Sequence, residues 1–342
     1  MTDLARSRST TADATPADDG LSGVELERRL EQHRRELTGY CYRMMGSSFE
    51  AEDAVQETMV RAWRAYDRFE GRSALRSWLY RIATNVCLDM LNGRQRRARP
   101  MDMNAEPAGR ATQPGAVLPE TTWIEPMPTG RVVPEGGDPG DVAVARDSVR
   151  LAFIAALQHL PPRQRAVLIL REVLRWKADE AAELLGTTVA SVNSALQRAR
   201  ATIEASNLTL SDGEPPVDDD QESLLNRYLD AFQRYDMEAL TSLIHEDATQ
   251  SMPPYALWLR GREDVFAWWV GPGASCRGSR LVPTTANGQP AFGQYKPTGD
   301  GSYLPWALQV LEVEDGQITD MIFFLDTERV FPMFGLPPRL DD

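Results

Sequence analysis

The sequence predicts a multidomain chain in which two all-helical modules precede an α+β domain, and three observations carry that expectation. Apolar residues recur at helical spacing from Val24 to about Arg97 and again from Val142 to Ser206. Between those stretches, residues 99–141 lose periodicity and gain Pro and Gly, the composition of a linker. Beyond residue 220, helical segments give way to alternating runs punctuated by Asn287-Gly288, Asp300-Gly301 and Asp315-Gly316, the dipeptides that tight antiparallel turns require. A length of 342 residues with 42% hydrophobic content supplies two or three cores.

In chain order, residues 1–20 are rich in Thr, Ala, Asp and Ser and are expected to be disordered. The first module, 24–98, opens with a helix over Val24 to Met45. Ser47 and Ser48 then cap a second helix containing AEDAVQETMVRAW. Its Val55, Met59, Ala62, Trp63 and Tyr66 form one apolar stripe, while Asp53, Gln56, Glu57 and Val60 form a second face. Early acids favour the helix dipole, which accounts for Glu50 and Glu52 but less well for Gln56 and Glu57, a turn further in. In a third helix, Leu75 to Leu91, the strip Trp78, Ile82, Val86 and Met90 is expected to pack while Arg76, Tyr80 and Arg81 project elsewhere. Arg94 to Arg99 follow as a basic cluster, and aromatics among arginines suit unstacked single-stranded bases.

The second module, 142–206, is broken at Pro161-Pro162 and near Gly186. KADEAAELLGTTVASVNSALQRAR reads as a helix-turn-helix: a helix over Ala178 to Leu185, a turn at Gly186, a Thr188 cap and a second helix over Val189 to Arg200. Val192, Ala195, Leu196 and Ala199 face inward. Ser191, Asn193, Ser194, Gln197, Arg198 and Arg200 face outward, a set apt for base edges and phosphates in a major groove. An acidic linker, 211–220, leads to the α+β domain, 221–340. There helices are expected over Ser223 to Tyr235, Met237 to His245 and Glu263 to Trp269, and strands over Trp306 to Val313 and Ile318 to Leu325.

The net charge of -13 is unevenly spread: residues 1–210 hold 28 basic and 28 acidic side chains, residues 211–342 hold 9 and 22. Arg61 to Arg99 carries ten arginines against Asp67, Glu70 and Asp89, a patch suited to nucleic acid. Cys41, Cys87 and Cys276 are too few and too scattered for a disulfide framework or a zinc site. With no apolar run of membrane-spanning length and no signal-peptide core, a cytoplasmic protein is expected.

Residues 24–205 resemble an extracytoplasmic-function (ECF) sigma factor of the sigma-70 family, with region 2 and region 4 domains joined by a linker. The resemblance implies an RNA polymerase specificity subunit that recognises the minus 10 and minus 35 promoter elements and melts DNA. AEDAVQETMVRAW is similar to the region 2 helix that docks on the clamp of the polymerase largest subunit, which gives Asp53, Gln56, Glu57 and Val60 to core binding. FEGRSALRSWLYRIATNVCLDMLNGRQRR resembles the segment that opens the minus 10 element. That implies DNA contacts from Arg76, Trp78, Arg81, Asn85, Asp89 and Arg94, with Asn85, Asp89 and the loop Gly71 to Ser73 holding a flipped base. LPPRQRAVLIL and the helix-turn-helix are similar to region 4, which reads the minus 35 element and meets the beta-subunit flap.

The remaining third, from LLNRYLDAFQRYDMEALTSLIHEDA onward, resembles the SnoaL-like group of the nuclear-transport-factor-2 fold. That implies a cone-shaped domain around an apolar cavity, and WIEPMP, residues 123–128, is similar to the linker phrase of sigma factors that carry it. Candidate lining residues are Trp258, Trp268, Trp269, Tyr295, Trp306 and Phe323, with His245 or Asp247 at the mouth. The favoured reading is regulation, by packing on the sigma modules or by sensing a small ligand, with an anti-sigma factor a further partner. The expectation is a non-enzyme without metal or nucleotide cofactor. The alternative is a SnoaL-like isomerase or cyclase, with Asp247 as general base, fused to helical interaction modules. A plain helix-turn-helix repressor is the third reading.

Overall fold

A computed structural model describes residues 23–69, 74–103, 106–109, 112–205 and 218–341. Residues 1–20, the acidic stretch 211–217 and the loop Gly71 to Ser73 lie outside the described residues.

The first module is a four-helix bundle: α1 (Gly23–Glu31), α2 (Arg34–Met45), α3 (Ser48–Ala65) and α4 (Leu75–Leu91). Its centre is α2, where every residue from Leu37 to Met45 is buried. A helix covered on all sides needs partners on all sides, and α2 finds them in α3, α4 and two helices of the second module. That second module comprises α5 (Pro139–Asp147), α6 (Leu151–Gln158), α7 (Pro162–Leu168, continued by a wider turn through Val173), α8 (Ala178–Leu184) and α9 (Val189–Glu204). Helix α6, LAFIAALQ, is buried along its whole length and packs on α2 of the first module.

The third domain begins with α10 (Asp218–Arg234) and α11 (Met237–Ser242), followed by β1 (Ile244–Ser251), β2 (Trp258–Arg260), α12 (Arg262–Val270), β3 (Arg280–Ala286), β4 (Gln289–Pro297), β5 (Ser302–Glu314), β6 (Gln317–Phe324), α13 (Thr327–Met333) and β7 (Leu340–Asp341). The strands form one sheet in the order β2-β1-β6-β5-β4-β3, with β7 on β5; only β1 and β6 run parallel. His245, expected to end a helix, lies with Asp247 within β1 instead.

Side-chain alternation gives this sheet two apolar faces. Ala307, Leu311, Met321 and Phe323 point to the inner face, covered by α10, α11 and α12. Leu308, Val310, Ile322 and Phe324 point to the outer face, where they join one continuous core with α2, α6 and the linker residues Ile124 and Met127. The domain therefore packs against both helical modules.

Candidate polymerase and promoter interfaces

Helix α3 carries the first candidate surface. Ser47 caps it by accepting from the Glu50 amide at 3.1 Å, and Ala51, Ala54, Val55, Thr58 and Ala62 fix it in the bundle. Asp53, Gln56 and Glu57 are left exposed and Val60 half-buried. Glu57 accepts from Arg61 at 2.7 Å, and Arg61 reaches Asp89 of α4 at 3.5 Å. Trp63 corrects the expected apolar stripe, because it is 59% exposed, three residues beyond Val60. An exposed indole at the end of a mixed acidic and apolar strip suits an interface anchor. Sequence reasoning missed it because a Trp at helical spacing usually belongs to the core.

Helix α4 departs further. Its buried face is Leu79, Tyr80, Ala83, Thr84, Val86 and Cys87, whereas Trp78, Ile82 and Met90 of the expected strip are half-buried. Tyr80, expected to project, is wholly buried: its ring meets Tyr40 edge-on at 5.2 Å and its hydroxyl donates to Glu36 at 3.3 Å. A buried Tyr is tolerated where its polar tip finds an acceptor, which sequence spacing alone does not reveal. The Arg76 guanidinium donates to Glu36 at 2.7 Å and lies over the rings of Tyr80 and Trp176 at 5.1 and 5.5 Å. Arg81 donates to the Glu183 carbonyl at 3.2 Å. Asn85 faces Thr187, Ser191 and Ala195 across a cleft of about 90 Å³. Trp176, Glu183 and Ser191 belong to the second module, so this face of α4 is pressed against it. Of the other candidates, Trp78 stacks on Phe69 at 4.9 Å, Asp89 meets Arg61, and Arg94 pairs with Glu50.

The helix-turn-helix forms where expected. Gly186 takes φ 60°, Thr188 accepts from the Ser191 amide at 3.2 Å, and Val192, Leu196, Ala199 and Ile203 are buried. Ala195, expected inward, is half-buried on the cleft facing Asn85. Ser191, Asn193, Ser194, Gln197, Arg198 and Arg200 are all exposed. Arg198 donates to Ser194 at 2.8 Å and Arg200 to Glu172 at 2.6 Å. Most of the outward face of α9 is thus open while the α4 face is covered.

The junction between modules is held by one turn of the third domain. At the β3–β4 hairpin, Asn287 takes φ 56° and Gly288 φ 73°, the geometry that Asn-Gly supplies. The wholly buried Asn287 carboxamide donates to Tyr42 Oη at 2.6 Å and to the Val149 carbonyl at 2.7 Å, and accepts from the Met127 amide at 2.9 Å. Those partners belong respectively to the first module, the second module and the linker. The linker is no free tether: Tyr42 donates to the Glu125 carbonyl at 2.8 Å, the Leu118 amide to the Pro254 carbonyl at 3.0 Å, and the Ala108 amide to the Trp258 carbonyl at 2.8 Å. Arg43 crosses the same junction, donating to Ser148 at 2.7 Å, and burial draws its guanidinium down to about 10.

On the inner side, a cavity of about 200 Å³ is lined by Phe232, Leu240, Trp268, Trp269, Trp306 and Phe323, and closed in part by Gln113 and Pro114 of the linker. Trp269 donates to Gln250 at 2.8 Å at its edge. Two expected lining residues, Tyr295 and Trp258, and both mouth candidates, His245 and Asp247, are elsewhere. Tyr295 lies on the opposite sheet face, where it packs on Phe331 and donates to the Pro337 carbonyl at 2.8 Å. Asp247 is exposed on β1, and Trp258 sits on β2 outside the lining. Sheet register decides which face a strand residue takes, and a shift of one residue inverts it.

Residues 30–97 match the sequence profile of Sigma-70 region 2, residues 150–203 that of Sigma-70 region 4, and residues 225–321 that of the SnoaL-like domain. The chain is 43% identical over 331 residues to the ECF RNA polymerase sigma factor SigG of Mycobacterium tuberculosis, covering 95% of this chain and 87% of the relative. It is 30% identical over 248 residues to SigJ of the same species, covering 71% of each. The crystal structure of SigJ superposes with a TM-score of 0.59 at 22% identity, covering 91% of this chain and 100% of that one, so the fold is shared along its length. The chain belongs to the ECF RNA polymerase sigma factors, with a SnoaL-like domain fused behind region 4.

Proposed function

We propose that this sigma factor rests in a closed state in which the SnoaL-like domain holds regions 2 and 4 together, and that promoter engagement parts them. The minus 10 and minus 35 elements lie about 25 base pairs apart, on the order of 85 Å at 3.4 Å per pair. Arg81 of α4 bonding Glu183 of α8 is incompatible with reading both at once. Residues 99–141, extended, span roughly 140 Å, enough for the open state. The observation that carries the reading is Asn287, which bonds region 2, the linker and region 4 from one side chain.

In the open state we assign Asp53, Gln56, Glu57 and Val60, extended by Trp63, to the clamp of the polymerase largest subunit, and the region 4 module to the beta-subunit flap. The α4 face from Arg76 to Arg94 then reads the minus 10 strand, and the exposed α9 set reads the minus 35 duplex. This assignment places the chain in the cytoplasm with the polymerase. Among the described residues, no helix is long and apolar enough to cross a membrane. An anti-sigma factor would compete for the same α3 and α4 faces. Asp247 and His245 stand apart from the cavity lining, which favours regulation over an enzymatic role. A small apolar molecule filling the cavity would press on Gln113 and Pro114 and so act through the linker.

The test is run-off transcription with core polymerase and limiting sigma factor, comparing the full chain with Asn287→Ala. The closed-state reading expects the variant to initiate more; equal or lower initiation, with core binding intact, contradicts it.

A further inference from the structure

We propose that Glu312 and Asp320, neighbours across β5 and β6, form an acid clasp that grips Arg99 and Arg150, and that a proton on this pair keeps the clasp shut. The proposal rests on the closed-state reading. Both carboxylates point from the outer sheet face, in register with each other, and are only 7% and 6% exposed. Arg150, at the start of region 4, reaches Glu312 at 3.4 Å and Glu314 at 2.8 Å. Arg99, just past region 2, reaches Asp320 at 3.9 Å, because its Nε and one terminal nitrogen are given to Asp102 at 2.9 and 3.2 Å.

The row of groups around Asp320 is otherwise short of positive charge. Thr249 on β1 donates to it, and Arg260, in register with Thr249 on β2, is exposed. Four carboxylates, Glu312, Glu314, Asp320 and Asp102, thus share Arg99 and Arg150 at the contact. Glu312 Oε1 is buried without a hydrogen-bond partner among the described residues. Protonating Asp320 removes one like charge and adds an O–H donor to the row. Burial first, and the facing Glu312 second, lift the Asp320 carboxyl to about 7. His159, which senses Arg99 and Asp102, is held below its usual range by burial and by Arg96.

The sign follows from linkage. The closed state raises the Asp320 pKa, so it takes up a proton relative to an open state in which water reaches that carboxyl. The resulting preference for closure is present at low pH and lost as pH rises through about 7. If the open-state value is ordinary, the closed-to-open ratio falls about tenfold between pH 6 and pH 8. His159 acts in the opposite sense, and is cancelled by comparison with a variant that alters Asp320 alone.

The experiment measures the affinity of the full chain for core polymerase near pH 6 and pH 8, with the separation of dye pairs on regions 2 and 4 as a second readout. Asp320→Asn mimics the protonated clasp, and Glu312→Gln removes the like charge that raises Asp320. Relative to Asp320→Asn, the unmodified chain is expected to gain about tenfold in affinity, or to open by the same factor, across that window; Asp320→Asn should flatten the change and Glu312→Gln should reduce it. A change absent in the unmodified chain in both readouts, or preserved in both variants, overturns the proposal. Asn287→Ala, run alongside, separates the two readings: if it opens the chain while pH does not, only the clasp fails, and if neither opens it, the closed state fails as well.

Discussion

At the scale of single residues, the proposed closed state depends on groups that touch more than one module. Replacing Asn287 by Ala strands the Val149 carbonyl and the Met127 amide, while Tyr42 Oη keeps only its bond to the Glu125 carbonyl. At about 1 kcal/mol or more for each of the two unsatisfied groups, the penalty is roughly 2 kcal/mol, a shift of about thirtyfold towards the open state. The neighbouring Gly288 makes a sharper test, since a Cβ there would lie 2.5 Å from Arg146 Cγ and 2.8 Å from the Arg146 carbonyl. Gly316 has nearly the same backbone, φ 72°, with nothing within 4 Å of a Cβ. Gly288→Ala should therefore open the chain, read as increased run-off transcription. Gly316→Ala should cost about 1 kcal/mol of domain stability, read by thermal unfolding, and leave transcription unchanged. Trp63→Ala is the complementary case. Because the indole is mostly exposed, unfolding should move by no more than about 0.5 kcal/mol, while core-polymerase affinity falls tenfold or more.

At the scale of elements, α4 and α9 are treated oppositely. Most of the outward set on α9 is exposed to solvent in the proposed closed chain, so the protein without polymerase should bind a minus 35 duplex but not a minus 10 single strand. Arg198→Ala should lower the salt slope of duplex binding by about 1, measured by titration at several ionic strengths. The helix-turn-helix was legible because its turn glycine, threonine cap and apolar spacing sit within one continuous stretch. The two faces of α4 were not, since the helix is packed from two sides and Tyr80 hides its hydroxyl on Glu36. Strands β1 and β2 escaped notice because β1, IHEDATQS, is polar and β2 is three residues long, and β3 and β4 were marked only by the Asn-Gly turn between them. The cavity's existence was implied by the resemblance to the SnoaL-like group. The membership of Tyr295, Trp258 and Asp247 was not, because it depends on register. Asn287-Gly288 announced a turn, but nothing local announced where that turn inserts.

At the scale of the whole molecule, the surplus acid of the last third acts through a few defined contacts. Glu312, Glu314 and Asp320 meet Arg150 and Arg99 at the edges of the sigma modules, while Arg198 and Arg200 of α9 find Ser194 and Glu172 within the second module. On the closed-state proposal, the SnoaL-like domain governs geometry, by holding regions 2 and 4 at the wrong separation for a promoter, while α9 keeps its charge exposed. The most direct test is the distance between regions 2 and 4, measured by fluorescence transfer between dyes on Asn92→Cys and Ala201→Cys in a Cys276→Ser background. Cys41 and Cys87 are buried and remain unlabelled. A closed sigma factor predicts a single short separation in the free full chain, lengthening with core polymerase and promoter towards the order of 85 Å that the two elements demand. A free chain already broadly extended, with a separation indifferent to Asn287→Ala, would contradict it.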